Sequence, residues 1–465
     1  MKTLKTALTF FALMLAILAC SFGLPDAATQ VPATATAPAV IRTATLPAVP
    51  PTQAPPPTQA PAATQAPPPT QAASPTFPPV ITATPLPVTP TLPPPVMITP
   101  TKPAQVRLTQ VQMVDLNTGW AVGQFINASV DEILRTTDGG KSWKAVTPAE
   151  PNRAGKQAVA SFVSATQAWV NYAVSASGSP VTQFVVWRTS DGGATWKSTA
   201  TSTAAITNME HFTTMQLGFR DASNGWLMAY LGAGMNHTYI AVYKTSDGGA
   251  TWSLIISPDK NNVSMSCSKS GLWLRDATHG LLAGNCYGVM KGLYLYQTSD
   301  GGATWSTLAL PAPASLPDAF TKDGNACGAD APQFFDAQKG YLAVQCADMA
   351  SNKTYRWVYA TKDGGATWTS TALPRAWGGL FFLNLDTGWY LGQSASDNTS
   401  GVNVYTTADG GKNWKQVSGT QWGGQMDYVD AKNGWVVAKS GSDLAFVRTS
   451  DGGLSYSLIL PQLAP

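Results

Sequence analysis

One eight-residue pattern recurs seven times between Thr136 and Tyr456, and it leaves the chain little freedom in choosing a fold. It reads Thr-x-Asp-Gly-Gly-x-(Thr/Ser/Asn)-(Trp/Tyr), with its aspartates at Asp138, Asp191, Asp247, Asp300, Asp363, Asp409 and Asp451. Successive aspartates lie 53, 56, 53, 63, 46 and 42 residues apart. A second pattern precedes each copy, apolar-x-(Asp/Asn/Ser)-x-x-x-(Gly/Ala)-(Trp/Leu/Tyr). Its copies start at Met113, Phe162, Phe219, Leu274, Phe334, Phe382 and Tyr428. Seven paired patterns at such a period mean seven copies of one structural unit.

The unit is a small sheet. Between the patterns lie β-rich runs such as Ile240 to Thr245, with turn residues at both ends. Asp-Gly-Gly between two such runs signals a hairpin, because glycine accepts positive φ. The Asp carboxylate can take the turn amides, and the following Trp can pack over the hairpin. Each unit therefore reads as a four-stranded antiparallel meander. The first pattern joins strands one and two, the second strands three and four. Seven such sheets set radially give an all-β, seven-bladed β-propeller over residues 105–465. How the ring closes stays open: the seventh blade supplies its own four strands, and a strand from near Val96–Ile98 could be added.

These residues resemble the Asp-box (BNR) repeat family, whose pattern is Ser/Thr-x-Asp-x-Gly-x-Thr-Trp, and the likeness spans residues 104–465. Asn413, Leu454 and Tyr456 depart from it mildly in the last two copies. Sialidases, sortilin-type receptors and xyloglucanases share the box. The combination of Gly-Trp-(Ala/Val/Leu)-x-(Gly/Ala) with the box is most similar to the photosystem II assembly and stability factor type of seven-bladed propeller. That resemblance implies structural boxes on a protein-binding scaffold. The photosynthetic role does not come with it, since function resides in sites rather than folds.

The N-terminus reads as an address. Lys2 and Lys5 precede a run from Ala7 to Ala19 that is apolar but for Thr9, too short for a stable membrane span and suited to a signal peptide. It ends Ile17-Leu18-Ala19-Cys20, which resembles a bacterial lipobox and implies lipidation of Cys20. Residues 1–20 are thus expected to direct a membrane-anchored, extracytoplasmic protein. Residues 21–104 hold 24 of the 35 prolines, with Thr-Gln-Ala recurring at Thr52, Thr58, Thr64 and Thr70. Such a segment cannot bury a core and favours extended polyproline II, a disordered spacer rising about 3.1 Å per residue.

Four cysteines remain after Cys20. Cys267 and Cys286 lie nine before and ten after Asp276, and Cys327 and Cys346 have the same offsets from Asp336. Four cysteines allow three pairings, and the repeat favours 267–286 with 327–346, in equivalent places of blades four and five. A strict hairpin register centres slightly later, so a bulge or loop is required. The spacing argues against zinc, and disulfides imply an oxidising compartment.

Composition removes several functions. Only 12% of residues are charged and the net charge is +3, which disfavours nucleic acid. Three His and three Glu leave little room for a metal centre or paired-carboxylate catalysis. One carboxylate per box offers too few oxygens for calcium. The Gly-Gly pairs lack the context of a phosphate loop. No cofactor or metal is expected.

On a meander, the one–two and three–four turns share one face, while the two–three loops and interblade links share the other. The latter vary in length, so recognition is expected there, opposite the boxes. Trp377 and Trp422 each open a Trp-Gly-Gly segment in adjacent blades, and with Arg375 they are candidates for a stacking platform. A sialidase-like hydrolase is the rival reading. The arginine cluster it needs is not evident, for Arg107, Arg153, Arg356 and Arg375 are scattered in the sequence, and the Phe/Tyr-Arg-Ile-Pro motif is missing. The expectation is a monomeric, surface-tethered, non-catalytic propeller that binds a protein or glycan of the cell envelope.

Overall fold

The computed structural model describes residues 104–464, apart from 152, 175–180, 208, 261, 287–290 and 394–400. Cys20, the signal and spacer readings and the added strand near Val96–Ile98 lie outside the described residues. Within them every regular element is a strand. No helix among them is long and apolar enough to cross a membrane.

The strands form seven antiparallel meanders over 106–145, 156–202, 213–256, 268–307, 325–372, 377–420 and 423–459, here blades one to seven. Their first strands face a common channel, to which all seven blades contribute. The molecule is a seven-bladed β-propeller, as the repeat predicts.

The repeat forms these sheets through turn chemistry. In every box, the Thr hydroxyl donates to the Asp Oδ1 and accepts from the second glycine's N–H. The same Asp accepts the backbone N–H and the side chain of the residue four positions on. Both box glycines hold φ between +71° and +96° in all copies, a region closed to most side chains. The first glycine's N–H donates to a carbonyl of the one–two turn, in seven blades out of seven. The two turns of a blade are thereby one hydrogen-bonded unit.

Apolar residues of the strands pack between neighbouring blades. Trp120, Trp226, Trp389 and Trp435 are buried there. Several indoles also tie blades together: Trp120 Nε1 donates to Ser164 O, Trp169 to Gly248 O, Trp389 to Gly452 O and Trp435 to Gly139 O, each at 2.9 Å. The last of these joins blade seven to blade one.

That seam has further closures. Gln462–Leu463 adds a short parallel strand to the outer edge of blade one, beside Ser142 and Trp143. Inside the ring, the Gln425 carboxamide brackets Val111, accepting from its N–H at 3.2 Å and donating to its carbonyl at 3.1 Å. Asp427 accepts from Met113 N–H. Among the described residues the extra strand thus comes from the C-terminal side.

Cys267 is bonded to Cys286 and Cys327 to Cys346. The irregularity demanded by the spacing is present in both blades. In blade four the register shifts between Lys269 and Gly271, and Cys267 adopts φ +69°. In blade five the first strand breaks into Asn325–Ala329 and Gln333–Phe334. The pair Asn285 and Gly328 joins the two blades into one nine-stranded sheet. Two disulfides fit folding in an oxidising, extracytoplasmic setting.

Candidate functional site

The box aspartates are saturated by the donors of their own turns. Asp138 accepts from Thr136 Oγ1, Lys141 N, Ser142 N and Ser142 Oγ at 2.6 to 3.1 Å. Asp191 and Asp363 are held down at about 2, first by the hydroxyls of Thr195 and Thr367 and then by the N–H groups of the same residues. A cation arriving here would have to displace bonds that define the turn. Among the described residues no three His, Cys, Asp or Glu side chains converge as a metal set.

The opposite face departs from sevenfold likeness, and Trp377 stands out on it, 41% exposed at the start of the strand Trp377–Phe382. Its backbone is fixed from beneath. Tyr390 Oη donates to the carbonyls of Arg375 at 2.9 Å and Trp377 at 2.6 Å. Arg375 Nε donates to Tyr405 Oη at 3.2 Å. Gly378 follows with φ +145°, and a Cβ there would overlap the Leu391 carbonyl. Gly424 repeats this one blade on, at φ +147° against Val437 O. The shared Trp-Gly-Gly pattern therefore has a backbone reason: the first strand approaches the second too closely for a side chain.

Arg356 reaches the same place from blade five. Its Nη1 donates to Gly378 O at 2.6 Å, its Nη2 pairs with Asp330, and its guanidinium lies 6.0 Å from the Tyr390 ring centre. Two arginines that look scattered in sequence thus converge on the Trp377 segment. A signal for Arg356 does exist. Five residues before the box Thr, the other blades carry Asp131, Phe184, Ile240, Leu293, Val402 and Leu444, so an arginine there departs from the apolar residue found in five of the six.

Trp422 has a different setting. It is half-buried in the core between blades six and seven, with its ring edge-on to Tyr456 at 5.0 Å and 87°. Among the described residues it shares no ring contact with Trp377. The structure brings Arg375 and Trp377 together, adds Arg356, and sets Trp422 to interblade packing.

The central channel encloses about 580 Å³. Gln216 brackets Leu272 of the next blade as Gln425 brackets Val111, donating to its carbonyl and accepting from its N–H, both at 2.9 Å. The two glutamines sit three residues before the opening apolar residue of their patterns, Phe219 and Tyr428, an offset legible in the repeat. Asp427 lines the channel, and burial pushes its carboxyl up to about 7 against the lowering effect of the Met113 N–H.

The glutamates of blades one and two are engaged. Glu132 pairs with Arg153 at 3.0 Å and accepts from Thr147. Glu150 pairs with Lys156 at 2.8 Å and accepts from Trp187 Nε1 at 2.7 Å.

No family model matches the sequence, and no curated protein matches it. Solved structures do resemble it. One is a GH74 enzyme of Niastella koreensis, 14% identical, covering 77% of this chain and 63% of its own, with a TM-score of 0.31. Another is an ulvan lyase of polysaccharide lyase family PL25, 11% identical, covering 78% and 96%, with a TM-score of 0.43. A third is Trypanosoma rangeli sialidase in complex with sialic acid, 12% identical, covering 75% and 54%, with a TM-score of 0.38. The chain spans less than two thirds of the first and third of these proteins, and nothing about its activity follows from them.

Proposed function

We propose that this chain is a non-catalytic recognition propeller, anchored outside the cytoplasm through a lipid on Cys20 and a Pro/Thr-rich spacer. It binds a glycan or protein partner with the face opposite its boxes. The observation that carries this reading is Trp377, an indole left 41% exposed on a segment whose backbone is tied by Tyr390 and, at Gly378, by Arg356. An exposed indole on a tethered backbone, with Arg375 and Arg356 in the same segment's surroundings, suits stacking on a sugar or a peptide group. The Asp-box resemblance, with its structural boxes, supports a scaffold.

The test is binding of the full chain to a glycan array and to the cell-envelope fraction of its source, with Trp377→Ala and Arg375→Ala alongside. Saturable binding, weakened at least tenfold by Trp377→Ala and without release of sugar, is the expected result. Sugar release by the unaltered chain would overturn the non-catalytic reading. Binding that neither substitution weakens would remove the site from Trp377.

A further inference from the structure

Blade two breaks the pattern of the other six. In those six the ladder between the second and third strands reaches the first residue of the third: Glu132, His237, Tyr294, Lys353, Val402 and Asp443 all pair across it. In blade two the ladder stops at Asn171 and Val186, although the strands run on to Val174 and back to Gln183. Each remains paired on its outer side. Three residues of the second strand and three of the third thus face each other without ladder pairing.

Both faces of the third strand are engaged here. Phe184 stacks on Phe212, just ahead of blade three, at 5.3 Å and 8°. Trp187 Nε1 donates to Glu150 on the interblade link. Asn171 Nδ2 closes the last rung by donating to Val185 O at 2.8 Å.

We infer that this opening is a binding cleft for an uncharged saccharide unit, distinct from the Trp377 surface. It encloses about 400 Å³, inside the range of about 300–1,000 Å³ of small-molecule sites. Asn171 lines it, 3% exposed, and its Oδ1 has no partner among the described residues. A buried acceptor left open favours a ligand that brings a donor, such as a hydroxyl. Phe184, Trp187 and Phe212 supply apolar walls for the C–H faces of a sugar ring. Among the described residues the charges in the lining are Glu150 and Lys156, which neutralise each other at 2.8 Å, so a charged ligand meets no free counter-charge to offset its desolvation.

The experiment titrates the full chain with a panel of neutral mono- and disaccharides and with their sialylated and sulfated counterparts, by calorimetry and saturation-transfer NMR. Asn171→Leu, nearly isosteric but without the acceptor, should weaken binding of a neutral sugar at least tenfold. Glu150→Gln keeps an acceptor for Trp187 while removing the charge. It should weaken binding severalfold, and it serves as the second probe if Asn171→Leu unfolds. The same titrations are repeated in the Trp377→Ala background, where sugar held at the Trp377 surface no longer contributes, and the cleft is read as the binding that survives there. Loss with Trp377→Ala but not with the cleft variants would overturn the cleft while upholding the Trp377 surface. A preference for the charged sugars, no binding at all, or binding indifferent to both cleft variants would each overturn it.

Discussion

The two faces of this propeller are made from the same seven units, yet they differ in how firmly the unit dictates them. On the box face one hydrogen-bond set recurs seven times, and the bond from the first box glycine to the one–two turn is never missing. On the other face, among the described residues, no one hydrogen-bond set recurs from blade to blade. There one blade splits, two carry a disulfide each, and another exposes a tryptophan. A repeat with all its turn chemistry at one end fixes the scaffold from that end and leaves the other free to vary.

Four substitutions test this contrast, beginning with the largest effect. The disulfides tie first strands that are interrupted where the box network does not reach. Replacing Cys327 and Cys346 together with Ala should destabilise the chain by about 3 kcal/mol, as expected for closing a short loop. Urea unfolding would read it, and a negligible loss would mean that blade five is held without its staple. On the box face, Asp138→Ala removes the acceptor of four hydrogen bonds. It should cost about 2 kcal/mol by the same measurement, since several turn donors lose their partner at once. A neutral result would show that the boxes mark the turns without fixing them.

The third test lies between the faces, in the channel. The Asp427 carboxyl is raised to about 7 in the folded chain, above its unfolded value of 3.8, so the folded state holds the extra proton between those values. Its effect on stability is therefore most favourable at low pH and declines as pH rises toward 7. Asp427→Asn should remove this slope and stabilise the chain at pH 8, with little change at pH 4, because the buried carboxyl costs stability only once it ionises. Melting curves across that range would decide it, and a pH-independent difference would place the Asp427 proton elsewhere. The smallest effect is expected at Trp377. Trp377→Ala should change stability by under about 0.5 kcal/mol, as for exposed positions in general, while weakening ligand capture. A large loss of stability would make Trp377 a packing residue.

What the sequence discloses follows the same division. The blades, the boxes and the cysteine pairs are written in short stretches, where one residue's turn preference or an equal offset is enough to read them. The platform is only half legible. Arg375 and Trp377 are neighbours in sequence, but Arg356 joins them across a blade boundary, and Trp422 turns inward because Tyr456 offers its ring between blades six and seven. Those outcomes depend on how adjacent blades pack. The split in blade two is hidden as well, since Gln183 to Val185 read as ordinary strand and the partners of Phe184 and Trp187 there, Phe212 and Glu150, lie outside that hairpin. Ring closure is hidden as well, because Gln462–Leu463 is too short to show a strand pattern by itself.

The seam between the first and last blades has a mechanical meaning. Gln105 and Val106 N–H both donate to Pro461 O, Leu463 N–H donates to Gln105 Oε1, and Gln462–Leu463 lies along blade one in parallel. Both ends of the ring are thus fastened at one place. A pull on the chain ahead of Gln105 therefore loads these bonds before it reaches any other blade.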